Sequence, residues 1–88
     1  MIEVVSIKEI IDKYKWDPNK NLNSLRLRYV HRGAANDIKW VEGRNVIMAS
    51  EGFLEIRGPD DRITYIPFHR VNLIMDEGII IFDRSKLK

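Results

Sequence analysis

Cysteine is absent from this 88-residue chain. No disulfide, zinc–thiolate site or thiol nucleophile can therefore be built, and the absence fits a cytoplasmic setting. Glutamine is absent too, and 32% of residues are charged, a combination that leans towards a thermophile. Six asparagines lean the other way. Long hydrophobic runs are missing. Near the C-terminus the longest is Ile79 to Phe82, far short of a membrane span, so no membrane association is expected. The start, Met1-Ile2-Glu3-Val4-Val5, is acidic and too short for a secretory signal. There is no repeat and no low-complexity tract. A Walker loop, a dinucleotide fingerprint, Gly-x-Ser-x-Gly and a zinc signature are all lacking, as is any His-rich or carboxylate-rich cage. No cofactor and no metal is expected.

What is present suits one small domain spanning residues 1–88. The apolar fraction, 44%, is ordinary for a folded chain, and a chain of this size buries about 60–65% of its unfolded surface. Net charge is only +2, but its placement is uneven. Arg26, Arg28 and Arg32 cluster, and Arg70 and Arg84 form a second group. The planar guanidinium fork, unlike a lysine ammonium, matches phosphate geometry.

Residues 6–15 read as a helix. Ser6 and Glu9 fit a capping box, Val5 and Ile10 a hydrophobic staple, and Ile7, Ile10, Ile11 and Tyr14 an apolar stripe. Pro18 disfavours helix at Asp17 and ends the element. Trp16 then reads as a cover over the core at the helix end, and residues 17–24 as a loop. Residues 25–32 alternate: Leu25, Leu27, Tyr29 and His31 on one face, Arg26, Arg28, Val30 and Arg32 on the other. Gly33-Ala34-Ala35-Asn36 turns the chain, and Ile38–Val41 reads as a short strand. Residues 44–51 fit either a helix or a strand.

Two hairpins follow. Phe53–Arg57 and Arg62–Ile66 flank Gly58-Pro59-Asp60-Asp61; Val71–Met75 and Ile79–Phe82 flank Asp76-Glu77-Gly78. A three-residue loop in the second pairs 75 with 79 and 73 with 81. Val71, Leu73, Met75, Ile79 and Ile81 would then face the core. Arg70, Asn72, Ile74, Ile80, Phe82 and Arg84 would face outwards, with His69 diagonal to Asp83. The fold class is α+β: one N-terminal helix packed on an antiparallel sheet of four or five strands, an order that an open sheet and a small curled barrel both accommodate.

The densest chemistry lies in Ile66-Pro67-Phe68-His69-Arg70 and in Phe82-Asp83-Arg84. Arginines that grip phosphate, a ring that stacks on a base and Asp83 orienting His69 make one reading. A salt bridge between Arg70 and Asp83 closing the hairpin, with His69 capping a strand, makes another. Pro67 interrupts pairing, and such breaks re-aim side chains. Arg26, Arg28 and Arg32 fit either a solvated outer face or a strip that tracks a nucleic-acid backbone. His31 and His69 suit acid–base chemistry, although alternation puts His31 on the apolar face of its strand.

Along most of its length the chain resembles the small archaeal RNA cyclic-group-end recognition domain, long grouped as an uncharacterised family. The matching residues are Trp16-Asp17-Pro18, then Tyr29, Arg32 and Gly33, then Ile66-Pro67-Phe68-His69-Arg70-Val71, and finally Phe82-Asp83-Arg84. Three positions depart from the family pattern. Phe68 stands for a tyrosine and lacks its hydroxyl, Phe82 for a tryptophan and lacks its N–H, and His31 stands where an acid is common. The resemblance implies a module for RNA ends with a terminal cyclic phosphate, accompanying RNA-processing or repair domains in larger proteins.

Taken with the residues, it gives a non-enzymatic binder of single-stranded RNA ends. Arg32, His69, Arg70 and Arg84 would hold the phosphate, Phe68 or Phe82 would stack, Asp83 would orient, and Arg26 and Arg28 would lie at the periphery. The alternatives are a metal-independent RNA-end phosphoesterase using His69 as acid and base, and a protein-interaction domain with a basic face.

Overall fold

The computed structural model describes residues 6–31, 33 and 37–84. The staple residue Val5, Arg32 and turn residues 34–36 lie outside them. Helix α1 spans Ile7–Trp16, and the Ser6 side chain accepts from the Glu9 N–H at 3.1 Å. Ile7, Ile10, Ile11 and Tyr14 are all buried, as their spacing requires. The helix stops at Asp17, which is extended at ψ 120° ahead of Pro18. Trp16 does not cover the core; it is 75% exposed. Two residues past Tyr14 on a 3.6-residue turn lies the opposite side of the helix, so the indole projects outwards.

Among the described residues seven strands follow: β1 (Leu25–Val30), β2 (Ile38–Glu42), β3 (Val46–Ala49), β4 (Phe53–Arg57), β5 (Ile63–Pro67), β6 (Val71–Asp76) and β7 (Ile79–Asp83). They form two antiparallel sheets, ordered β2-β1-β6-β7 and β3-β4-β5. A helix with antiparallel sheet is the expected class; the segment 44–51 supplies the additional strand β3 after a 3-10 turn at Gly43–Asn45. Helix α1 packs on β3, and one buried cluster joins α1 to both sheets. Ile11, Leu25, Leu27, Leu54, Val71 and Ile74 are its most deeply buried members.

The β6–β7 hairpin corrects the expected register. Its loop is two residues, not three: Glu77 and Gly78 both take positive φ, 49° and 86°, and Asp76 pairs with Ile79. That is the twist-matched two-residue turn, and it moves β7 by one position. A bulge between Ile74 and Met75 then pairs Ile74 with Phe82. Because side chains alternate, the faces change. Ile79, expected in the core, is 69% exposed, Ile81 is exposed as well, and Ile74 and Phe82, expected outside, are buried.

Candidate functional site

Pro67 closes β5 opposite Phe53, and without an N–H it cannot extend the ladder. The chain folds at once into a 3-10 turn, Phe68–Arg70, which feeds β6. Phe68 N donates to Gly52 O at 3.0 Å, and Val71 N donates back to Phe68 O. Arg84, at the end of β7, straps this turn from outside. Its Nε donates to Val71 O and its Nη2 to Phe68 O, both at 3.0 Å. The guanidinium expected to grip phosphate therefore spends two N–H directions on the backbone that presents His69 and Arg70.

The other expected residues separate into groups. His69 and Arg70 are exposed, and neither takes part in the ion pairs formed among the described residues. Asp83 is half-buried opposite Leu73. Phe82 is only 9% exposed, and Phe68 packs against the core. Burial of Phe82, a consequence of the shifted register, takes away the open ring face that stacking on a base needs. Arg26 and Arg28 lie on the outer face of the four-stranded sheet. Arg26 Nε is 3.2 Å from Glu42 Oε2, and Arg28 Nε donates to Asn72 Oδ1 at 2.9 Å.

Between the end of β1 and the β5 turn lies a pocket of about 170 Å³, lined by Tyr29, His31, Thr64, Tyr65, Pro67 and Arg70 among others. It unites residues from both sheets. His31 stands just past β1, with its N–H donating to Asp37 O at 2.8 Å and its ring meeting Tyr29 edge-on at 6.2 Å. Strand alternation puts it on the face of Tyr29, and because it stands past the last β1–β2 pair, Val30 and Ile38, that face opens there into the pocket. Burial raises the pKa of Tyr29, so its phenol stays protonated and able to donate. Tyr65 adds a ring that is 59% exposed. A guanidinium, a phenol and an imidazole at one opening are donors for an oxyanion, with an aromatic ring beside them. His69 lies on the same turn but outside the pocket lining. Among the described residues no group of His, Asp and Glu converges as a metal cage, and no helix is long and apolar enough to cross a membrane.

The profile of the MJ1316 RNA cyclic group end recognition domain matches residues 4–84. The chain belongs to this family. An archaeal UPF0248 protein of Methanococcus maripaludis strain C5 is 40% identical over 80 residues, which cover 89% of this chain and 97% of the relative. A UPF0248 protein of Pyrococcus horikoshii is 29% identical over 84 residues, 94% of each chain. No solved structure matches. The family match spans the β1 end and the Pro67–Arg70 turn, which contribute to the pocket, and the Arg84 strap that holds the turn.

Sequence reasoning missed Tyr65 and Trp40. Tyr65 lies on β5 next to buried Ile66, so alternation alone turns it outwards. Trp40 neighbours buried Val41 in the same way and faces Arg28 across the β1–β2 ladder.

Proposed function

We propose that this chain is an RNA-binding module that holds the end of a single strand and recognises a terminal cyclic phosphate in the pocket at Arg70. What carries the reading is the exposed Arg70 guanidinium beside His31 and Tyr29, in a family described by recognition of RNA cyclic ends. A cyclic phosphate monoanion has two non-bridging oxygens. One forked guanidinium plus a phenol or imidazole N–H satisfies them. Tyr65 offers its ring to the terminal base. Arg32 and His69 stand as further donors, with Asp83 orienting that end, and Arg84 acts by positioning the turn rather than by touching phosphate. RNA processing or repair is the setting such a module serves, beside enzymes that make or consume these ends.

The test is binding of one short RNA finished as cyclic phosphate, 3′-phosphate or 3′-hydroxyl. The cyclic end should bind tightest. Equal affinity for all three would remove end recognition.

One observation favours a second reading, catalysis at the same end. His31 lines the pocket with Arg70, and His69 precedes Arg70 on the same 3-10 turn. An acid–base pair for metal-free opening of a cyclic phosphate needs two such groups. Following cyclic-phosphate RNA over time with chelator present decides between them. Steady conversion that both His69→Ala and His31→Ala abolish would make the chain an enzyme; no conversion leaves it a binder.

A further inference from the structure

The outer face of the four-stranded sheet carries a flat aromatic surface framed by charge. Trp40 on β2 stands directly opposite Arg28 on β1, and Arg26 stands opposite Glu42. The Arg26 guanidinium carbon lies 4.6 Å from the centre of the Trp40 ring and that of Arg28 lies 5.7 Å away. Both arginines are held through Nε, Arg28 by Asn72 and Arg26 by Glu42. These contacts engage Nε, and the terminal nitrogens of each guanidinium supply its other N–H donors. Trp40 remains 41% exposed, and the next pair on this face, Val30 and Ile38, extends the apolar strip. Among the described residues no helix covers this face, since α1 packs on β3 of the other sheet.

We propose that Trp40, framed by Arg26 and Arg28, is a second RNA subsite that stacks one base just inside the terminus. This deepens the RNA-end reading and rests on it for the direction of the strand. The geometry supports it in two ways. The face combines an exposed ring with guanidiniums that keep free donors, which is the pairing that single-stranded nucleic acid uses: stacking for the base, charge for the phosphate. The row also leads to the pocket. Val30, the next residue of β1 on the Arg28 face, lies two residues on, about 7 Å at 3.3 Å per residue, and itself lines the pocket, so an RNA end seated there trails its preceding base towards Trp40. A second copy of this chain is a poorer occupant. Symmetric contact through this face would bring Arg26 and Arg28 near their own counterparts, and the one acid in the frame, Glu42, already pairs with Arg26.

The experiment compares Trp40→Ala, Trp40→Phe and wild type on two probes: a nucleoside 2′,3′-cyclic monophosphate and a short RNA with the same cyclic end. The expected result is unchanged binding of the mononucleotide and roughly tenfold weaker binding of the RNA by Trp40→Ala, with Trp40→Phe close to wild type. As a second measurement, Trp16→Phe leaves Trp40 as the sole tryptophan, and RNA should quench its emission where the mononucleotide does not. Equal RNA affinity for wild type and Trp40→Ala, with Trp40 emission unmoved, overturns the subsite while end recognition stands. RNA that binds equally with cyclic and hydroxyl ends, yet loses affinity in Trp40→Ala, keeps the subsite and removes the end reading. No RNA binding by wild type overturns both. A concentration-dependent dimer that Trp40→Ala dissolves, with RNA affinity unmoved, assigns the face to a second copy and also overturns the subsite.

Discussion

Two arginines of the candidate site do different work, and substitution should separate them. Arg84 bonds two backbone carbonyls, at Val71 and Phe68. Arg84→Ala leaves those half-buried acceptors short of a charged donor and should cost about 1–3 kcal/mol of stability, read by urea unfolding. Arg70 is exposed and outside the ion pairs of the described residues, so Arg70→Lys should leave the melting temperature unmoved. It should still weaken binding of a cyclic-phosphate end far more than Lys13→Ala does, because lysine keeps the charge and loses the fork. Equal binding losses at positions 13 and 70 would reduce Arg70 to general electrostatics. The residue types of this site were plain in the sequence, since Pro67-Phe68-His69-Arg70 and Arg84 stand out on any reading. Their division of labour was not. Whether an arginine meets a ligand or a carbonyl depends on where a 3-10 turn points its C=O groups, and no spacing rule encodes that.

Elements meet at two points where a small change should show. Tyr14 of α1 donates its hydroxyl to Asp76 at the end of β6. Burial first, then this bond, pushes the phenol up to about 12, while the Tyr14 and Ser24 hydrogen bonds pull Asp76 below its ordinary 3.8. The signs follow from linkage. The Tyr14 contribution is complete below pH 10.0 and is lost as pH rises towards about 12. The Asp76 contribution is complete above 3.8 and is lost as pH falls through its depressed value. Tyr14→Phe should therefore flatten the melting temperature at both extremes, and curves that stay parallel to wild type would refute the link. At the second point, the 3-10 turn beginning at Gly43 packs on the one at Leu22–Ser24. A Cβ on Gly43 would sit 1.8 Å from Leu22 O. Gly43→Ala should cost at least the upper end of the roughly 1–3 kcal/mol typical of overpacking, because a backbone atom must move. Helix α1 was legible to within a residue, through its cap, stripe and Pro18, and so was the β4–β5 hairpin, while β1 starts where expected and stops at Val30, short of the expected residue 32. The β6–β7 faces were not. Asp76-Glu77-Gly78 fits a loop of either two or three residues, and that one-residue difference decides whether Phe82 stacks on a base or fills the core.

For the whole molecule, what matters is that folding joins segments far apart in sequence at one opening. His31 follows β1, Tyr65 comes from β5 and Arg70 from the turn into β6, so the pocket exists only when the two sheets are packed. No local pattern reports that closure, which is why the sequence singled out Arg70 and paired His31 with Tyr29 but did not bring the two groups to one pocket. With a net charge of only +2, the proposed RNA binding rests on the placement of the arginines rather than on their sum. Binding of a short single strand should weaken as salt rises, with a log–log slope of about −0.7 per phosphate contact. A flat response would deny that phosphate contacts drive binding. The most direct measurement is an NMR titration of the amide-labelled chain with a nucleoside 2′,3′-cyclic monophosphate, against the matching nucleoside as control. Tyr29, His31, Tyr65 and Arg70 should shift together and saturate with the cyclic phosphate alone. Shifts confined to other residues, or the same response to the uncharged nucleoside, would contradict a phosphate end held at Arg70.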